Sequence, residues 1–126
     1  MSGGGFGKYH AKKVNTEDGV FDSQKEYARW CVLKQLQADG IITNLERQKR
    51  YVLIPTQRED SRKGKRGAEI KGKVLERECT YTADFAYYDK KQGIYVVEDC
   101  KGFKTPEYLI KRKLMLYTYN IRIYET

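Results

Sequence analysis

This chain predicts an α/β fold, a mixed central sheet flanked by helices, with its elements in the order α-β-β-β-α-β. Three observations lead there. Two segments carry apolar residues at helical spacing, about 22–38 and 106–117. Between them lie β-rich runs around 48–55, 73–89 and 94–100, and a short run closes the chain at 121–124. The whole spans 126 residues, enough for one domain with one modest core.

Taken in order, residues 1–20 mix Gly, Lys and single apolar residues without period. They are expected to form a flexible basic arm, leaving 21–126 as the folded domain. Phe21-Asp22-Ser23 opens a helix that Asp39-Gly40 ends, a typical glycine stop. Tyr27, Ala28, Trp30, Cys31, Val32, Leu33 and Leu36 give that helix a broad apolar face for packing on a sheet. Ile41 to Leu45 leads into a strand at about 48–55, where Tyr51, Leu53 and Pro55 alternate with Arg50, Val52 and Ile54. Arg58 to Gly67 is strongly hydrophilic and is expected to be a mobile loop. Residues 73–78 and 79–89 read as strand, as one run or as two, and Lys90 to Gly93 turns the chain back into Ile94–Cys100 as a hairpin. Thr105 can cap the second helix and Pro106 suits its first turn.

Composition narrows the function. With 40% apolar and 33% charged residues, the chain reads as a soluble globular protein with a heavily charged surface. No apolar run approaches the ~18–20 residues of a membrane span, and the N-terminus lacks the apolar run of a signal peptide. A cytoplasmic address and no membrane partner are the expectations. Cys31, Cys79 and Cys100 are odd in number and lack CxxC spacing, which argues against a disulfide framework or a zinc site. His10 is the only histidine, so any metal would be held by oxygen ligands. A net charge of +8 points to an anionic partner, with nucleic acid the first candidate.

The chemistry concentrates in two acidic positions. Asp84 lies within the β-rich segment Cys79–Tyr88, and Asp99-Cys100-Lys101 ends the run Ile94–Glu98. Side chains two apart on a strand share a face, so Asp99 and Lys101 project together while Glu98 and Cys100 face away. On neighbouring strands, two carboxylates and an ammonium would converge, a costly core and a suitable magnesium site. Glu98 stays an alternative ligand should a bulge bring it round. The densest positive cluster, Arg62, Lys63, Lys65 and Arg66 with Lys71 and Lys73 after it, suits sequence-independent phosphate contact. Lys104, Lys111 and Lys113 follow the acidic strand and can extend that contact, with Lys111 or Lys113 able to reach a phosphate near the acids.

Together these features resemble the PD-(D/E)XK nuclease superfamily, whose αβββαβ restriction-endonuclease-like core carries one acid on a central strand and an acid-x-lysine on the next. Asp84 and Asp99-Cys100-Lys101 match those positions, and Glu26 matches a glutamate often found on the first helix. The usual proline before the first acid is absent, the chain having Ala83-Asp84-Phe85. Phe21-Asp22-Ser23 with Glu26, Leu45-Glu46-Arg47-Gln48, Tyr81 to Phe85 and Val97 to Gly102 look like a phage-encoded branch, similar also to the strand-cutting subunit of heteromeric transposases.

The resemblance implies a metal-dependent endodeoxyribonuclease that leaves a 5′-phosphate and acts in phage or mobile-element DNA recombination or processing. Mg²⁺, with Mn²⁺ able to substitute, would sit on Asp84 and Asp99 with Glu26 as a further ligand, and Lys101 would orient or deprotonate the attacking water. Gln48 matches a recurrent glutamine of the branch and can bond a metal-bound water or a backbone group near the site. The address would then be the host cytoplasm, and paired cuts would require a homodimer. Ser23 to Glu26 also fits a capping box, in which Glu26 only bonds back to the helix start. Two alternatives stay open: a resolvase of four-way or branched DNA, and a DNA-binding protein on a nuclease scaffold whose acids serve structure.

Overall fold

The computed structural model describes residues 12–126. A four-stranded mixed sheet forms its centre, with strand order β10-β9-β8-β3. The sequence order is β1 (Val14–Thr16), β2 (Gly19–Phe21), α1 (Gln24–Ala38), β3 (Ile42–Ile54), β4 (Gln57–Arg58), β5 (Arg62–Lys63), β6 (Glu69–Ile70), β7 (Val74–Glu76), β8 (Cys79–Asp89), β9 (Ile94–Asp99), α2 (Pro106–Tyr119) and β10 (Tyr124–Glu125). The α/β expectation holds. No helix among the described residues is long and apolar enough to cross a membrane.

Capping accounts for the helix limits. The Ser23 side chain accepts from the Glu26 backbone N–H, and Thr105 does the same for Tyr108. Asn120, in the left-handed region at φ 58°, ends α2 two residues later than the sequence suggests. The hairpin of β8 and β9 pairs Phe85 with Glu98 through Asp89 with Ile94. Its turn is held by Asp89, whose carboxylate accepts from the N–H groups of Lys91 and Gln92, both at 3.0 Å. On the other edge of β9, β10 runs parallel, pairing Tyr124 with Glu98 and Glu125 with Asp99.

The sheet buries both faces. On one, Tyr51, Leu53, Tyr81, Ala83 and Val97 pack with Tyr108 and Met115 of α2. On the other, Ile42, Phe85 and Tyr87 pack with Leu33 of α1. Burying apolar side chains from both directions is what makes this small sheet stable.

Five sequence expectations change. Residues 1–11 of the expected arm lie outside the described residues, but 14–21 form an antiparallel hairpin rather than an arm. That hairpin is anchored by Phe21, fully buried against the rings of Tyr27 and Trp30, and by Arg47, which donates to the carbonyls of Asp18 and Val20. β3 begins six residues earlier than the alternation suggested, because its polar half pairs with β8 all the way to Ile42–Asp89. Residues 73–78 do not continue into β8. Val74–Glu76 instead pairs with Gln57–Arg58, and Arg62–Lys63 pairs with Glu69–Ile70, so the expected loop is a two-stranded arm. The last strand lies at 124–125 rather than 121–124, because Ile121 and Ile123 turn inward against the α2 cluster.

Candidate active site

Asp84 stands where the β8–β9 ladder stops. Phe85–Glu98 is the last registered pair, and one residue further the Cys100 N–H is taken by the Asp84 carboxylate itself, Oδ2 accepting at 2.8 Å. The chain also changes phase there. Ala83 packs with the α2 cluster and Phe85 with the α1 cluster, although they are two residues apart. On the adjacent strand, Gln48 sits between the pairs Arg47–Phe85 and Lys49–Ala83 with φ of 51°. A left-handed residue inside a strand reverses the pleat and re-aims its neighbours. Gln48 Nε2 lies 3.5 Å from Asp84 Oδ1, the long limit of a hydrogen bond.

Asp99 points toward α2, as strand parity requires. It is buried, accepts a short hydrogen bond from the Tyr81 hydroxyl, and has Lys101 Nζ 3.4 Å from its other oxygen. Lys101 also lies 4.5 Å from the centroid of the Tyr108 ring, which holds the ammonium over an aromatic face. Glu26, only 4% exposed, comes from the first turn of α1. The capping role falls to the Ser23 side chain, while Glu26 Oε1 has no hydrogen-bond partner.

The electrostatics tie these three acids together. Burial, the Asp99 charge and the Glu26 charge push the Asp84 carboxyl up to about 7, against the pull of the Cys100 N–H. Burial raises Glu26 as well, with Asp22 and Asp99 adding to it and Arg47 opposing it. Buried Asp99 and Glu26 and half-buried Asp84 therefore repel one another. No three His, Cys, Asp or Glu side chains among the described residues are drawn together as a finished ligand set. The donor chemistry nonetheless fits a hard divalent cation: oxygen ligands, like charge to be neutralised, and an orphaned carboxylate oxygen at Glu26.

Glu98 is a correction. Its side chain faces α1, fully buried, and its oxygens are taken by Arg29 Nε at 2.8 Å, Arg29 Nη2 at 2.6 Å and the Tyr87 hydroxyl. It is a tether between helix and sheet, with no oxygen left for a metal. Sequence reasoning missed Arg29, although its place three residues after Glu26 puts it on the same helix face. It missed Arg47 too. Arg47 stacks 3.7 Å from the Phe21 ring centroid and brings Nη2 to 3.9 Å from Glu26 Oε1, too far for a hydrogen bond. Tyr81 belongs to the buried cluster under α2, and its hydroxyl is the group that bonds Asp99.

The basic candidates fall into three places. Arg62, Lys63, Lys65, Arg66, Lys71 and Lys73 all lie exposed on the two-stranded arm, away from the acids in sequence and pairing. Lys111 joins Lys101, Thr82 and Thr105 around a cleft of about 270 Å³ between β8 and α2, with its ammonium 2.9 Å from Glu107. Lys104 pairs with Glu125 at 3.2 Å, and Lys113 is exposed on α2, outside that cleft. All three cysteines are free thiols.

Residues 6–124 match the family described as Protein of unknown function (DUF1064), and the chain belongs to that family. No curated protein and no solved structure matches it.

Proposed function

We propose that this chain is a metal-dependent endodeoxyribonuclease. The observation that carries the reading is the mutual repulsion of buried Glu26 and Asp99 and half-buried Asp84 beside Lys101, costly in an isolated fold and relieved around a divalent cation. Glu26, Asp84 and Asp99 would hold the ion, Mg²⁺ or Mn²⁺, which when bound neutralises charge on a phosphate and lowers the pKa of water.

The chain's own residues would do the rest. Lys101, fixed by Asp99 and the Tyr108 ring, presents N–H donors at the rim of the cleft, where they can orient an attacking water or meet charge developing on a phosphate oxygen. The hydroxyl of Tyr81 and the N–H of Cys100 each occupy one oxygen of a carboxylate, so Asp99 and Asp84 keep fixed orientations. Gln48 borders Asp84 and can hold a water against it. The net charge of +8 supplies attraction for a polyanion.

The test is nicking of supercoiled plasmid in Mg²⁺ or Mn²⁺ by wild type and by Asp84→Ala. Cleavage by the wild type alone, leaving 5′-phosphate ends, supports the proposal. Equal cleavage by both proteins, or none by either on linear, supercoiled and four-way-junction DNA, overturns it.

A further inference from the structure

Residues 57–76 leave the central sheet after Ile54 and rejoin it at Cys79, on the two strands that also carry Gln48 and Asp84. They are built as a ribbon. β4 pairs with β7 and β5 with β6, and neither pair joins any other strand. The Glu59 N–H donates to the Lys73 carbonyl at 2.9 Å between the two ladders, and the Gly64 N–H donates to Ala68 at 2.7 Å near the tip. Arg58 Nη1 donates to the Gly72 carbonyl at 3.0 Å, and Ser61 donates to Glu69 at 2.9 Å. Where the two ladders meet, the backbones touch: a Cβ on Gly72 would collide with the Glu59 carbonyl. Gly72 is thus required by the ribbon's geometry and by nothing chemical.

Every residue of the ribbon except Gly64 and Gly72 is exposed, and it carries seven Lys or Arg against four Asp or Glu. The reach from Gln57 to the tip is ~25 Å at the rise of an extended strand. Such a two-stranded ribbon matches the ~12 Å major groove of B-form DNA and is too wide for the ~6 Å minor groove. The deep, narrow major groove of an A-form RNA duplex would exclude it.

We propose that this preformed ribbon lies in the major groove of duplex DNA, with Lys65 and Arg66 at its tip against the phosphates. The inference rests on the nuclease reading for its choice of DNA, yet its test does not involve cleavage. Binding is measured by fluorescence anisotropy with full-length protein in EDTA, on a short DNA duplex and on an RNA duplex of the same sequence. The wild type is expected to prefer DNA by about tenfold or more, with affinity falling steeply as salt rises. Lys65→Ala with Arg66→Ala should reduce the slope of log affinity against log salt by about 2, one unit for each lost phosphate contact. Gly72→Val keeps every charge and should weaken DNA binding about tenfold with the circular dichroism of the domain retained.

Equal affinity for RNA and DNA duplexes overturns the proposal. So does wild-type binding by Gly72→Val, which would make the segment a mobile charged loop, or an unchanged salt slope in the double variant. The double variant leaves the ribbon's ladders intact and decides the matter should Gly72→Val fail to fold. A protein that nicks plasmid through Asp84 but binds through none of these residues refutes the ribbon alone; one that binds through them and never nicks refutes the nuclease reading alone.

Discussion

Arg29 and Glu98 form a two-pronged ion pair that pins α1 to β9, with Nε to Oε1 at 2.8 Å and Nη2 to Oε2 at 2.6 Å. The hydrogen bonds to Glu98 also raise the guanidinium's affinity for its proton, chiefly through that pair. Glu26 lies one turn before Arg29 on the helix, and Asp99 follows Glu98 on the strand. The pair therefore sets the spacing of two acids in the candidate site without belonging to it.

Breaking this pair should be expensive. Glu98→Ala leaves Arg29 and the Tyr87 hydroxyl facing an empty space, and a loss of about 3 kcal/mol is expected in urea denaturation. Replacing Arg29→Met, Glu98→Leu and Tyr87→Phe together should recover most of that stability. A single variant within about 0.5 kcal/mol of wild type would show that the pair contributes nothing.

Asp84→Asn should stabilise the metal-free protein. The folded state holds the Asp84 proton up to about 7, whereas an unfolded aspartate loses it near 3.8. The folded state thus binds more protons over that window, and wild-type stability falls as pH rises through it. The amide removes this penalty, so the two proteins should match near pH 4 and differ above pH 7 by on the order of 2 kcal/mol. Denaturation midpoints across that range check it, and a constant difference at every pH would contradict the assignment.

Divalent cations should reverse that penalty. Mg²⁺ or Mn²⁺ at about 100 times its dissociation constant is expected to stabilise the wild type by about 2.7 kcal/mol. EDTA should abolish the rise in melting temperature, and Glu26→Gln or Asp99→Asn should shrink it. Calorimetric melting with and without the ion measures all three; an undiminished rise in both variants would remove these acids from the ion's site.

Lys101→Met should separate holding the ion from using it. Its ammonium faces Asp99 and the cleft, while Asp84 and Asp99 each have a further hydrogen-bond donor, the Cys100 N–H and the Tyr81 hydroxyl. Plasmid nicking is expected to drop by about 10²–10³-fold, the usual cost of one charge-stabilising donor. The Mn²⁺-induced rise in melting temperature should persist. Wild-type nicking rates would exclude a direct role for this lysine.

Much of the arrangement was legible in the chain because it is local. Ser23 and Thr105 announced both helix starts through their capping hydroxyls, and Lys90 to Gly93 announced the hairpin through turn chemistry. Strand parity placed Asp99 and Glu98 on opposite faces, as their partners Tyr81 and Arg29 bear out. The polar half of β3 and the arm at 57–76 were not legible. Their pairing depends on backbone ladders formed with distant residues, which polar composition does not disclose.

The sequence by itself determined the α/β order, the charge and the two acidic strand positions, since these follow from residue type and from spacing along one element. Only the tertiary structure decided which acids repel one another. The approach of Gln48 to Asp84, the repulsion between Glu26 and Asp99 and the engagement of Glu98 by Arg29 each join residues 36 to 73 positions apart. Such contacts are fixed by the pairing of β3 with β8 and by how α1 packs on the sheet, and no local pattern encodes either.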